Sequence, residues 1–418
     1  MAMTTHVRRD SLRRRARRVG GRLIQRFGLL PAGVPDARGD DASLVAAGSL
    51  TERVVVYFGS TPESVYQLEQ WLPALEALHA AHPVVVLTAD SRSAARIRTL
   101  TWLRVATVSR YATFDDLLTG SQVRLVLYVN HHVQNFGLLR FGDVTHVSLL
   151  HGDSDKVVSV SNQAKAYDFT FVAGQAAVDR LSLHLQHFDA AARCVVVGRP
   201  QASAAPRERR PGEPLTVLYA PTWEGAQRSA AYGSLLDLGP ALVRAVVADA
   251  GLRLVYRPHP LTGVRRPDYG EADAAVREIV AATGHRVSTD AAIADDFASA
   301  DVLVCDVSAV AVDWLATGRP LVLTEPPGQD PTALRTPLAK AVRRLGPDEA
   351  ARAASIVRQE VERDELAADR VAMARYYLGD TTPGAALSHF LAACDQVVAG
   401  VDPAPVRVDG RATDAFTL

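Results

Sequence analysis

Four short stretches hold residue types that can move a proton or grip a phosphate, and each follows or closes an apolar run. They are "LLHGDSDK" at 149–156, "YAPTW" at 219–223, "YRPHP" at 256–260 and "CDVSAVAVDW" at 305–314. In an open parallel sheet, ligands sit outside the carboxyl ends of the strands, so a polar residue that ends a β-branched run stands where chemistry is done. A neutral imidazole at His151 can take the proton of an attacking hydroxyl. Lys156, one of only three lysines in the chain, offers a compact positive charge for phosphate. The alternative is that Asp153, Ser154 and Asp155 merely form a turn and Lys156 pairs with an acid.

In the third stretch, Pro258 and Pro260 fix φ on both sides of His259 and stop the strand, which presents the imidazole on a stiff turn. Arg257 and His259 together offer a phosphate several hydrogen-bond donors; otherwise His259 is a solvent-exposed turn residue. In the fourth, Ser308 lies where a buried run passes into a helical pattern. There its hydroxyl and the free N–H groups of a helix N-terminus suit a phosphate, or the serine only caps its helix, a role worth about 1 kcal/mol. Asp306 is suited to orienting a ligand or binding a sugar or glycerol hydroxyl, because two anions repel. Asp313 is either a ligand-facing acid or an ordinary polar helix residue. Asn130, His131, His132 and Asn135 end a further run and line the same cleft. Their pattern fits no specific metal site, so neither a metal nor a cofactor is assigned.

These residues need elements to hold them, and the alternation of short β-branched runs with helical periodicity supplies parallel βαβ units. The first series of strands is expected at 53–58, 83–87, 104–108, 123–129, 145–150, 169–173 and 194–198, with helices at 63–78 and 175–185. The second is expected at 215–220, 252–257, 301–306 and 320–325, with helices at 241–250, 271–282 and 309–316. The proline- and charge-rich segment between the series reads as a linker. The expected architecture is α/β: two Rossmann-like doubly wound domains facing a central cleft, with a helical C-terminus. The expected division is a basic N-terminal segment 1–50, a first domain 51–205, a linker 206–214, a second domain 215–365, and C-terminal helices and tail 366–418.

Lys plus Arg equals Asp plus Glu at 46 each, and no aromatic-rich basic repeat is present, so nucleic acid is not an expected partner. The balance hides an asymmetry: residues 1–26 hold nine arginines and one aspartate, about +8, which leaves about −8 for the rest. Three widely spaced cysteines, Cys194, Cys305 and Cys394, argue against a disulfide framework or zinc site and for a reducing cytoplasm. No run approaches the ~20 apolar residues needed to span a bilayer. The basic start, through residues 1–30, suits an anionic membrane surface, where each Lys or Arg is attracted by about 1 kcal/mol; its alternative is a disordered basic tail.

Taken in order, "HGDSDK", "LYAPTW", "YRPHP" and "DVLVCDVSAVAVDWLATGRPLVL" resemble the CDP-glycerol glycerophosphotransferase family, the teichoic-acid polymerases and their relatives, over about 123–325. The resemblance implies a glycosyltransferase-B fold and transfer of glycerol phosphate from CDP-glycerol, or a related CDP-polyol, to a hydroxyl of a membrane-linked polymer, with release of CMP. It also implies an enzyme working in the cytoplasm, peripheral at the inner face of the cell membrane. By motif, His151 corresponds to the family's HG histidine and candidate base, His259 to its HP histidine and Ser308 to its phosphate-binding serine; Thr222 and Asp313 fall at matching positions. The chain departs from the pattern at Asp153, Ser154 and Asp155, at Ala309, and in "GRPQAS" at 198–203. Two other functions share the same sheet logic: a glycosyltransferase using a nucleotide sugar, and a non-catalytic nucleotide- or polymer-binding protein of envelope assembly.

Overall fold

The computed structural model describes residues 36, 38–156, 160–202, 212–225, 231–288, 293–325 and 336–404. The basic segment 1–30 and most of the linker lie outside the described residues. The first series of runs forms seven parallel strands: β1 (Val54–Phe58), β2 (Val84–Thr88), β3 (Arg104–Thr107), β4 (Leu125–Tyr128), β5 (Thr145–Ser148), β6 (Phe169–Val172) and β7 (Cys194–Val196), in the order β3-β2-β1-β4-β5-β6-β7. β1 lies between β2 and β4, with Val54 opposite both Val84 and Leu125, so the strand order reverses there. Its five residues are buried on both faces, which is why the run is continuously apolar instead of alternating.

The second sheet contains β8 (Leu215–Ala220), β9 (Leu252–Tyr256), β10 (Arg286–Val287), β11 (Val302–Cys305), β12 (Leu321–Thr324) and β13 (Arg343–Leu345), in the order β10-β9-β8-β11-β12-β13. It is parallel throughout and reverses between β8 and β11. β10 and β13 carry no apolar run, because each is a two- or three-residue edge strand bearing arginines that blunt the sheet border. The helix expected at 63–78 is broken: a 3₁₀ turn (Pro62–Ser64) leads into the helix Val65–Glu69, and a second helix runs Leu72–His79. Pro73 in the first turn of the second helix favours a fresh start there.

The C-terminal helices tie the halves together. Ile356 and Val357 of the helix Ala353–Arg363 join the core of the second sheet. Tyr376 and Tyr377 of the helix Ala367–Leu378 share a cluster with Ala173 and Ala176 from the first half. The helix Ala385–Val398 then enters the first core, where Phe390 meets Trp71 with ring centroids 5.4 Å apart. The described residues thus end on the same half that holds β1. Cys194, Cys305 and Cys394 are free and buried.

This crossover depends on Gly174, two residues after β6. A Cβ there would lie 2.5 Å from the Tyr377 carbonyl carbon and 2.6 Å from the Tyr376 and Tyr377 oxygens. Backbone cannot yield as a flexible side chain does, so Gly174→Ala is expected to cost about 3 kcal/mol by overpacking. The measurement is a lowered onset of thermal unfolding, followed by circular dichroism.

Candidate active site between the two sheets

His151 stands three residues beyond β5 on a loop held from beneath. Leu150 has φ of 55°, a strained backbone for a residue with a side chain, and Trp71 Nε1 donates to its carbonyl at 2.8 Å. Arg199 Nη1 and Nη2 each donate to the His151 carbonyl at 3.3 Å, and the same guanidinium grips Asp313 with Nε and Nη2, both at 2.8 Å. Gly152 is needed for close approach: a Cβ on it would come within 2.6 Å of the Ala309 methyl, at the start of the helix Ala309–Trp314. The two halves therefore touch immediately beside His151 and Ser308.

The acids of "HGDSDK" do not face the cleft. Buried Arg180 pairs with both Asp153 and Asp155, and Tyr377 Oη donates to Asp155 Oδ2 at 2.6 Å. Lys156 emerges on the far side, donates to Thr222 Oγ1 at 3.1 Å, and lies 5.5 Å from the centre of the Tyr232 ring. It spans from one half to the other.

His259 is not a solvent-exposed turn residue. It stacks on Trp223, with centroids 6.1 Å apart and planes 18° from parallel. Its Nδ1 accepts the Leu261 N–H at 3.1 Å, which leaves the proton of the neutral ring on Nε2. Glu224 fixes the following loop by accepting from the N–H groups of Gly263, Arg265 and Arg266 at 3.0, 2.8 and 3.1 Å. Between the two histidines stands Tyr66, its ring edge-on to His151 at 6.2 Å and to His259 at 6.0 Å. Ser308 occupies the N-cap position without bonding its own helix, and its buried hydroxyl has no oxygen or nitrogen partner.

The electrostatics follow from burial and crowding of positive groups. Desolvation, then Arg199, His131 and Lys156, push His151 down to about 4. Desolvation, then Lys156, His151 and Arg257, push His259 down to about 3. Burial lowers Lys156 to about 8, opposed by nearby Asp306. At neutral pH both imidazoles are therefore uncharged, as a proton acceptor must be.

Three expected ligand contacts are corrected. Asp306 has no exposed surface: it accepts from the Thr222 N–H at 2.6 Å, the Ser234 N–H at 3.2 Å and the Thr324 hydroxyl, so it pins the ends of β8, β11 and β12 together. Asp313 is committed to Arg199. Arg257 turns to Asp296 at 2.7 Å and Ser288 at 3.2 Å, within its own half, so its charge is offset there. Sequence reasoning missed Tyr66 and Arg199. Tyr66 gave no signal, whereas Arg199 sits in the departing "GRPQAS" element. Among the described residues, no group of three or more His, Cys, Asp and Glu is placed to hold a metal ion.

Two outcomes follow from this geometry. Arg199→Met leaves the Asp313 carboxylate unpaired in a largely dry contact and is expected to cost about 3–5 kcal/mol. Adding Asp313→Leu should recover part of the loss, a coupling readable from denaturant unfolding of the four proteins. His131, His151 and His259 all lie below the ordinary 6.5, at about 4, 4 and 3. The unfolded chain then binds protons first, so stability present above pH 6.5 is lost as pH falls toward 3. Thermal midpoints should decline across that window, and less steeply in His131→Gln.

Residues 207–327 match the model of the family described as CDP-Glycerol:Poly(glycerophosphate) glycerophosphotransferase. No curated protein matches the chain in sequence. Among solved structures, the wall teichoic acid polymerase TagF is similar at 12% identity with a TM-score of 0.53, covering 96% of this chain and 99% of that one. The S. aureus MnaA-UDP co-structure is similar at 11% identity and a TM-score of 0.55, covering 85% and 100%. A glycosyltransferase from Rickettsia africae is similar at 11% identity and a TM-score of 0.50, covering 83% and 99%. These likenesses establish the fold, two Rossmann-like domains of the glycosyltransferase-B type. The family match marks 207–327 as a glycerophosphotransferase-like region, which contains Thr222, His259 and Ser308.

Proposed function

We propose that this chain transfers glycerol phosphate, or a related polyol phosphate, from a CDP-linked donor to a hydroxyl of a membrane-linked envelope polymer or primer, releasing CMP. The observation that carries the reading is the meeting of His151 and His259, one from each half, on the single ring of Tyr66. The family match over the half that holds His259 supports the CDP-linked donor, and TagF has itself been solved after soaking with CDPG.

In this mechanism the acceptor hydroxyl gives its proton to neutral His151 as its oxygen attacks the β-phosphorus. The bond from that phosphorus to the bridging oxygen breaks, and CMP leaves with the electron pair. Lys156 and the His259 Nε2–H face the charge on the diphosphate, and the Ser308 hydroxyl, which has no oxygen or nitrogen partner, adds a hydrogen bond. Positioning and electrostatic stabilisation supply most of the rate in such reactions. Among the described residues no helix is long and apolar enough to cross a membrane. Contact with the inner face of the cell membrane is assigned to the arginines of residues 1–30, which lie outside the described residues.

The test is to incubate the protein with CDP-glycerol, CDP-ribitol and nucleotide sugars and follow release of CMP or the corresponding nucleotide. CMP release from a CDP-polyol is expected. His151→Ala should lower turnover by about 10²–10⁴-fold, the range for loss of a general base, while the donor dissociation constant from calorimetry stays within about threefold. Near-normal turnover in that variant removes His151 from the base role, and release of a sugar nucleotide's carrier alone moves the protein to the glycosyltransferase reading.

A further inference from the structure

Every backbone N–H from Leu261 to Arg266, in the loop that follows His259, has an acceptor, and two residues supply five of the six. Leu261 donates to His259 Nδ1 at 3.1 Å and Thr262 to the His259 carbonyl at 3.0 Å. Val264 closes a turn on the Leu261 carbonyl at 3.2 Å. The other three, from Gly263, Arg265 and Arg266, all go to the carboxylate of Glu224.

Glu224 is 3% exposed, and its carboxylate lies where the helix Pro267–Ala282 begins, a place that favours negative charge. The three N–H groups converge on it as a nest. Burial opposes its charge, but the N–H groups outweigh burial, so the carboxyl titrates below its ordinary 4.5 and is ionised at neutral pH. The preceding residue, Trp223, stacks on the His259 ring. Consecutive residues therefore hold one imidazole in two ways. Trp223 sets the plane of the ring, and Glu224, by anchoring the loop at 263, 265 and 266, keeps the Leu261 N–H aimed at Nδ1. Without that anchor Nδ1 is free to take the proton, and Nε2 would then turn a lone pair to the cleft. A lone pair repels the phosphate oxygen that an N–H would bond.

We infer that Glu224 is a positioning residue that fixes His259 in its Nε2–H form, so that the second half offers a hydrogen-bond donor to an anionic substrate. The inference rests on the transfer reading of the cleft and deepens it. Glu224 touches no substrate and acts on the ring through Leu261.

The test reads the ring directly, by two-bond nitrogen–proton NMR correlation on the full chain labelled at its 12 histidines, with His259 assigned from its absence in His259→Gln. Wild type is expected to show His259 protonated on Nε2. Glu224→Ala should lower the ratio of Nε2–H to Nδ1–H forms by about 3–10-fold, the loss of a single hydrogen bond. The signals of His146 and His285, one in each half and each in bonds of its own, should stay in place and so report an intact fold. Acetate has the atoms that the truncation removes. Adding it should restore the wild-type ratio with saturation, whereas sodium chloride at equal ionic strength should not. Glu224→Gln keeps the volume and one acceptor oxygen but sets an amide NH₂ against a donor; it should shift the ratio in the same direction, and it decides the question if the alanine variant does not fold. An unchanged ratio in the variants, or recovery with chloride equal to that with acetate, overturns the inference. No substrate is present, so absence of CMP release in the earlier experiment counts against the transfer reading alone.

Discussion

The bond between Arg199 and Asp313 is the contact on which the geometry of the cleft turns. Arg199 lies three residues beyond the last strand of the first sheet, Asp313 lies on the helix that follows β11, and both are nearly buried. Removing two charges from water costs about as much as their attraction returns, so the pair adds little to net stability. What it supplies is register. The guanidinium that grips Asp313 also holds the His151 carbonyl, so one planar group sets both the separation of the halves and the height of the loop carrying the imidazole. Ala309 pressed on Gly152 completes the contact, and a larger side chain at either position would push the halves apart.

The path of the chain reinforces this closure. The helices beyond 353 leave the second core, pass the junction and end in the first core, so the halves are joined twice by the backbone. On the way, Tyr377 reaches Asp155, one residue before Lys156. The loop from His151 to Lys156 is therefore fastened by Arg199, Arg180 and Tyr377, each acting on backbone or acid groups that point away from the cleft. The side chains left facing the cleft are the imidazole at one end and the ammonium at the other.

Much of this was legible in the sequence, and the limits were physical. Strands buried on both faces announce themselves as β-branched runs, and eleven of the thirteen do so; β10 and β13 do not, because edge strands are short and charged. His151, His259, Thr222, Lys156 and Ser308 could be placed at one cleft because position after a strand end is a local property of the sequence. Whether an acid or arginine there is free for a ligand depends on distant partners. Asp306 is taken by residues 84 and 72 positions back in the chain, Asp313 by one 114 back, and Arg257 by one 39 ahead. Tyr66 was invisible for the same reason, since nothing local distinguishes a tyrosine that wedges between two histidines from one that fills a core.

The departure from the family pattern in the loop after His151 has a structural meaning in these terms. Two acids after an HG pair look like ligands or repellents for a phosphate, yet Arg180 and Tyr377 absorb both, and Lys156 keeps a positive charge close to His259. Burial first, and nearby positive charge second, lowers the two imidazoles. In the proposed reaction, a diphosphate lying against Lys156 and His259 would add negative charge beside both rings and raise their proton affinity. Burial and these charges keep His151 neutral in the free protein, and in the proposed reaction the charge of a bound substrate would help the ring hold a proton.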